Sequence, residues 1–111
     1  FIPVHNGGNP CNLEKLIKIS KKNRIHIIDD AATAFGSRIR NKFIGSYNYT
    51  TTVFSLNANK IITSGEGGLI CTNNNNLAKK IRLLVSSGLA KDTWRRAKSK
   101  NYRILNELRR K

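Results

Sequence analysis

Methionine is missing from these 111 residues, cysteine and proline occur only twice each, and Asp and Glu together number six. Each shortage excludes something. Without an initiator Met the chain opens on FIPVH, inside a pattern, and no signal-peptide layout accounts for processing. A piece of a longer protein is therefore expected. Cys11 and Cys71 stand far apart with no secretory signal, which argues against a disulfide framework and for reduced thiols in a cytoplasmic setting. Neither has a Cys or His at metal-ligand spacing, so no metal centre is expected, and the Asn48-Tyr49-Thr50 sequon carries no weight. No stretch approaches the roughly eighteen apolar residues of a membrane span.

The scarcity of acid leaves a net charge of +15. Such a balance raises a nucleic-acid reading, because phosphate neutralisation dominates that binding. Its distribution weakens it. Residues 88 to 111 hold nine basic and two acidic side chains, and the rest of the excess is spread over the first 87. The chain is crowded with Asn, Ile and Lys, including the run Asn73 to Asn76, and the compositional drift of an AT-rich genome is the plainer source. Nucleic acid is not the expected partner.

What is present is organised around Val53 to Gly68, VFSLNANKIITSGEGG. Val53, Phe54 and Leu56 follow Thr50 to Thr52 in a β-branched and aromatic run that predicts a buried strand. Asn57 to Asn59 form a polar turn, then a lone Lys60 leads through Ile61-Ile62-Thr63 into Gly65, Gly67 and Gly68. A lysine between an apolar strand and a glycine turn is held near backbone, and burial there would disfavour its ammonium form. The neutral amine is a nucleophile toward carbonyls. On spacing alone, an ordinary surface lysine on a loop is the plainer explanation of the position.

Thirty positions before Lys60, Ile25 to Gly36 (IHIIDDAATAFG) runs from an apolar strand into two carboxylates and small residues. The end of a strand in an α/β sheet is where ligand groups sit. Together the two stretches resemble the DegT/DnrJ/EryC1/StrS family of pyridoxal-phosphate (PLP) sugar aminotransferases, whose core reads approximately EDAAQAxG, then FSFxxxKxxTxGEGG. The matching residues are Asp30-Ala31-Ala32, Ala34, Gly36, Phe54-Ser55, Lys60, Thr63 and Gly65-Glu66-Gly67-Gly68. Pro3, Val4, His5, Gly8 and Pro10 match a PVHxxGxP segment. Asn101-Tyr102-Arg103 and Leu105 to Leu108 resemble YNYRxxELQA with one residue inserted.

The resemblance implies an α/β fold: the central part, residues 1–88, of the large domain of aspartate aminotransferase-like, fold type I PLP enzymes, with a mostly parallel sheet and flanking helices. Residues 89–111 form a basic, partly helical segment. It implies PLP as cofactor, with Lys60 as the amine that bonds it and Asp30 as the carboxylate that keeps its ring nitrogen protonated. Ser55 matches the serine that contacts the cofactor phosphate, and Asn101 the asparagine by which a neighbouring subunit does so. Thr33 stands where the family carries Gln or His beside the ring, and is too short to reach as far. The implied reaction transfers an amino group from glutamate to a keto-sugar nucleotide, in making cell-surface polysaccharide or antibiotic sugars, and the full-length family forms homodimers. The family's phosphate-binding SGT turn upstream and its small domain downstream have no counterpart here, so activity of these residues alone is doubtful. A small basic nucleic-acid-binding protein, for which Trp94 and Tyr102 in the basic tail speak, and a non-catalytic scaffold remnant stay open.

The remaining elements follow from pattern. Asn12 caps a helix to about Lys22 with Leu13, Leu16 and Ile17 on one face. Ile25 to Asp29 reads as a parallel strand buried on both sides. The residues on either side of Asn41-Lys42 form a hairpin edged by Arg38 and Arg40. Leu69 to Thr72 is a strand, and Asn74 to Ser87 a helix with Leu77, Ile81, Leu84 and Val85 as its stripe and Gly88 as its C-cap. For Asp30 the alternative to a cofactor partner is a helix N-cap, and His5 reads as a loop or packing histidine without a role.

Overall fold

The computed structural model describes residues 1–85. The chain divides into two units, Phe1–Asn73 and Asn74–Lys111. The boundary after residue 88, the Gly88 cap, Trp94, Asn101 and Tyr102 all lie outside the described residues.

In the first unit, a single 3-10 turn at Asn6–Gly8 leads to helix α1, Leu13–Asn23. Asn12 caps α1 as expected: its side-chain oxygen accepts the Lys15 N–H at 3.1 Å, satisfying one of the donors that a helix start leaves free. Glu14 in the first turn and Lys21 and Lys22 in the last complement the helix dipole. Arg24 ends the helix in a left-handed conformation, φ 54°.

Strand β1, Ile27–Asp30, lies parallel to β4, Thr50–Ser55, with Ile27 opposite Thr50 and Asp30 opposite Val53. The chain start runs along the other edge of β1. Ile28 and Asp30 donate their N–H groups to the carbonyls of Phe1 and Pro3, and a parallel bridge joins Val4 to Asp30. On the far side β5, Gly68–Cys71, pairs antiparallel with β4. The sheet is thus mixed, parallel on both sides of β1 and antiparallel at β5.

The alternation of β4 sorts the sheet into two faces. Thr50, Thr52 and Phe54 point inward, joined by Ile27 and Asp29 of β1. Leu13, Ile27, Ala31, Ala34, Ile44, Tyr47 and Phe54 form one buried cluster, with Leu16 and Ile17 of α1 packed at its edge. Gly45, at φ 89°, lies so close under Phe54 that a Cβ would sit 2.9 Å from the ring. The outer face differs from the expectation of a strand buried on both sides: Ile28 is 49% exposed, and Ile2, Val4 and Ile70 are exposed with it.

The hairpin forms from β2, Arg38–Ile39, and β3, Lys42–Phe43. Its turn falls one residue earlier than expected, on Arg40-Asn41, with Arg40 at φ 54°. The cross-strand pair fixes that register: Arg38 faces Phe43, its guanidinium 3.8 Å from the ring centroid. In the second unit, α2, Asn75–Val85, starts one residue after the expected Asn74, whose side chain accepts the Leu77 N–H at 3.0 Å as a cap. None of the described helices is long and apolar enough to cross a membrane.

Candidate active site

Parallel strands β1 and β4 end on the same edge of the sheet, the position at which α/β proteins gather ligand groups. Asp30 is the last residue of β1 and Ser55 the last of β4. Because Asp30 stands opposite Val53, and Ser55 follows Val53 by two residues, Asp30 and Ser55 share the outer face. The sequence brings them together only through the fold.

Asp30 is held by its main chain on both sides. Its N–H donates to Pro3 and its carbonyl accepts from His5, while the next residue, Ala31, donates to Val53. Its Oδ1 accepts the Ala32 N–H at 3.1 Å in an Asx turn. The helix-cap alternative is thereby overturned: turns, with no helix, follow Asp30 through Gly36. The second carboxylate oxygen has no partner among the described residues.

Past Ser55, the chain closes a loop on Leu56. The Leu56 N–H donates to Gly67, and the Leu56 carbonyl accepts from the Ser64 N–H and the Thr63 hydroxyl, each at 3.0 Å. Gly67 takes φ 139°, and a Cβ there would come within 3.0 Å of Ser64 Oγ. The arc between these ties carries Lys60, whose N–H donates to Asn57 at 3.0 Å. Lys60 is half-buried, without an ion pair among the described residues, and Ile61 through Ile70 are exposed. The enclosed lysine expected from the glycine turn is not formed by these residues alone. Ser55 Oγ accepts the Asn57 N–H at 3.3 Å, leaving the hydroxyl hydrogen free to donate elsewhere.

Thr33 lies on the same edge, in the turn after β1, exposed, and its hydroxyl donates to the His5 carbonyl at 2.9 Å. It ties the turn to the chain start. Asn101 lies outside the described residues. The structure thus gathers Asp30, Ser55, Thr33 and the Lys60 loop at one edge.

Directly behind Asp30, on the inner face, is a polar chain to which the sequence reading gave no role. His5 and Asp29 are both fully buried, His5 Nε2 lying 2.7 Å from Asp29 Oδ1 in a polar contact whose orientation falls short of an aligned hydrogen bond. Thr52 donates to Asp29 Oδ2 at 3.1 Å and is within 3.2 Å of Thr50 Oγ1. His5 Nδ1 accepts the Cys11 N–H, so the imidazole carries its proton on Nε2, facing Asp29. Burial pushes the Asp29 carboxyl above its ordinary range, opposed by His5 and by the Thr52 hydrogen bond. Burial, and then the charge of Asp29, push the Cys11 thiol up. The pair was hidden because its members are 24 positions apart. The visible signal was a histidine in the PVH segment and a second carboxylate beside Asp30.

The model of the DegT/DnrJ/EryC1/StrS aminotransferase family matches residues 1–108. The chain belongs to this family. It is 41% identical over 99 residues to the uncharacterised protein MJ1066 of Methanocaldococcus jannaschii, covering 89% of this chain and 25% of that one. Over 105 residues it is 36% identical to GDP-perosamine synthase of Escherichia coli O157:H7, covering 93% and 29%. Among solved structures it resembles DesV of S. venezuelae, solved in complex with a ketimine intermediate, with a TM-score of 0.77 and 31% identity over 83% of this chain and 25% of that one. The chain spans about a quarter of the length of these DegT-family relatives. Its fold is part of the α/β domain of PLP-dependent aminotransferases.

Proposed function

We propose that this chain carries the cofactor-bonding part of a PLP-dependent sugar aminotransferase, with Lys60 as the amine that tethers the cofactor through its aldehyde. The observation that carries the reading is the grouping of Asp30, Ser55 and the Lys60 loop at the carboxyl edge of a parallel strand pair. The groups suit the cofactor. Asp30 keeps one carboxylate oxygen unpartnered among the described residues, Ser55 keeps a hydroxyl hydrogen to give, and the Lys60 amine is in no ion pair among them.

Bound, PLP supplies a ring that draws electrons from the carbon gaining or losing the amino group. The Asp30 carboxylate, anchored by the Ala32 N–H on one oxygen, would offer its other oxygen to the ring nitrogen and favour a proton there. The Ser55 hydroxyl would donate to the phosphate. Lys60 would be the residue that holds the cofactor, its amine also being the base available to move a proton there. By the family resemblance Thr33 would stand near the ring and Asn101 would be the residue offered to the phosphate of a neighbouring subunit in a homodimer.

GDP-perosamine synthase and the structural neighbour PseC, involved in the biosynthesis of pseudoaminic acid, support a keto-sugar nucleotide as acceptor. Glutamate is the amino donor, and donor and acceptor react in two half-reactions at one site. This chain would supply the amine, acid and hydroxyl of that site. Addition of PLP to the purified chain is expected to give an imine absorbance that Lys60→Ala lacks. The same band in both proteins would contradict the reading.

A further inference from the structure

Strand β1 reads Ile27-Ile28-Asp29-Asp30, so each face of the strand presents one isoleucine followed by one aspartate. A slip of one residue would exchange the two faces. In most half-buried strands hydrophobic alternation forbids this; here the pattern is the same on both faces and decides nothing. Yet only one of the two carboxylates can occupy the outer face beside Ser55.

We propose that His5 is the positioning residue that settles this choice: its buried imidazole takes Asp29 for the inner face and so holds Asp30 on the outer face at the strand end. The proposal rests on the reading of Asp30 as the acid facing the cofactor ring. One residue grips both neighbours. The His5 ring lies 2.7 Å from Asp29 Oδ1, and the His5 main-chain N–H donates to the Asp30 carbonyl at 3.0 Å. Only one register satisfies both contacts. His5 is itself fixed, its Nδ1 by the Cys11 N–H at 3.0 Å and its carbonyl by the Thr33 hydroxyl at 2.9 Å. Thr52 on β4 completes the inner pocket by donating to Asp29 Oδ2. Asp30 has no cationic partner on the outer face among the described residues, so nothing there competes for Asp29.

The test needs no cofactor. Carbodiimide coupling of an amine to carboxyl groups, read residue by residue by tandem mass spectrometry, is expected to label Asp30 about tenfold or more faster than Asp29 in the wild-type chain. His5→Ala, or His5→Leu where the alanine variant loses its helical circular dichroism, is expected to bring the two rates within about threefold. His5→Gln restores a donor toward Asp29 and should return most of the preference. Equal labelling in the wild type overturns the proposal before any variant is made. An unchanged preference in a folded His5→Ala or His5→Leu, or no recovery in His5→Gln, overturns it as well. If PLP fails to bond Lys60 while the labelling pattern holds, the functional reading falls and the positioning role of His5 stands.

Discussion

Asp30 stands opposite Val53 in the parallel register of β1 and β4, which puts its carboxylate on the same sheet face as Ser55. That relation joins residues far apart in the chain. It also separates Asp30 from its neighbour Asp29, which is fully buried on the other face.

Replacing Asp30 by Asn keeps the oxygen that accepts the Ala32 N–H and removes the charge. Stability of Asp30→Asn should change by no more than about 0.5 kcal/mol. Its affinity for PLP should fall by about tenfold to a hundredfold, the worth of a hydrogen bond to a charged group. A urea titration checks the first and a PLP titration the second.

Gly45→Ala meets two obstacles, φ 89° and a Phe54 ring atom 2.9 Å from the new Cβ. The close contact involves a ring that is itself packed edge-on against Phe35, with centroids 5.3 Å apart. A loss of about 1–3 kcal/mol is expected from overpacking, read from the denaturation midpoint.

The Asp29 carboxyl makes stability depend on pH in an unusual direction. Its folded pKa lies above the ordinary 3.8, chiefly through burial, so the folded chain binds this proton more tightly than the unfolded one. Its contribution is fully present below 3.8 and is lost as pH rises through the raised value. Comparing denaturation midpoints of wild type and Asp29→Asn from acid to neutral pH should show this loss in the wild type and its absence in the variant.

Local chemistry made much of the frame legible. Asn12 announced its helix because a cap acts within three residues, α2 through its apolar stripe, and β4 through its β-branched run. Long-range relations were not legible. The hairpin turn moved by one residue because Arg38 pairs across the strands with Phe43. Ile28 was expected inside because apolar residues do not reveal which face is covered. His5 passed as a packing residue because its partner is Asp29, a contact made only in the folded chain. Of the candidate site, the motif spacing pointed to Asp30, Ser55 and Lys60, while the exposure of the loop from Ile61 onward was not legible in it.

Lys60, proposed as the amine that bonds PLP, can be read residue by residue by reductive trapping. The chain is incubated with PLP, treated with borohydride, digested and mapped by mass spectrometry. The pyridoxyl group is expected on the Lys60 peptide well above every other lysine, with weaker fixation in Asp30→Asn. Label spread evenly over the surface lysines, with Lys60 no higher than the rest, would contradict it.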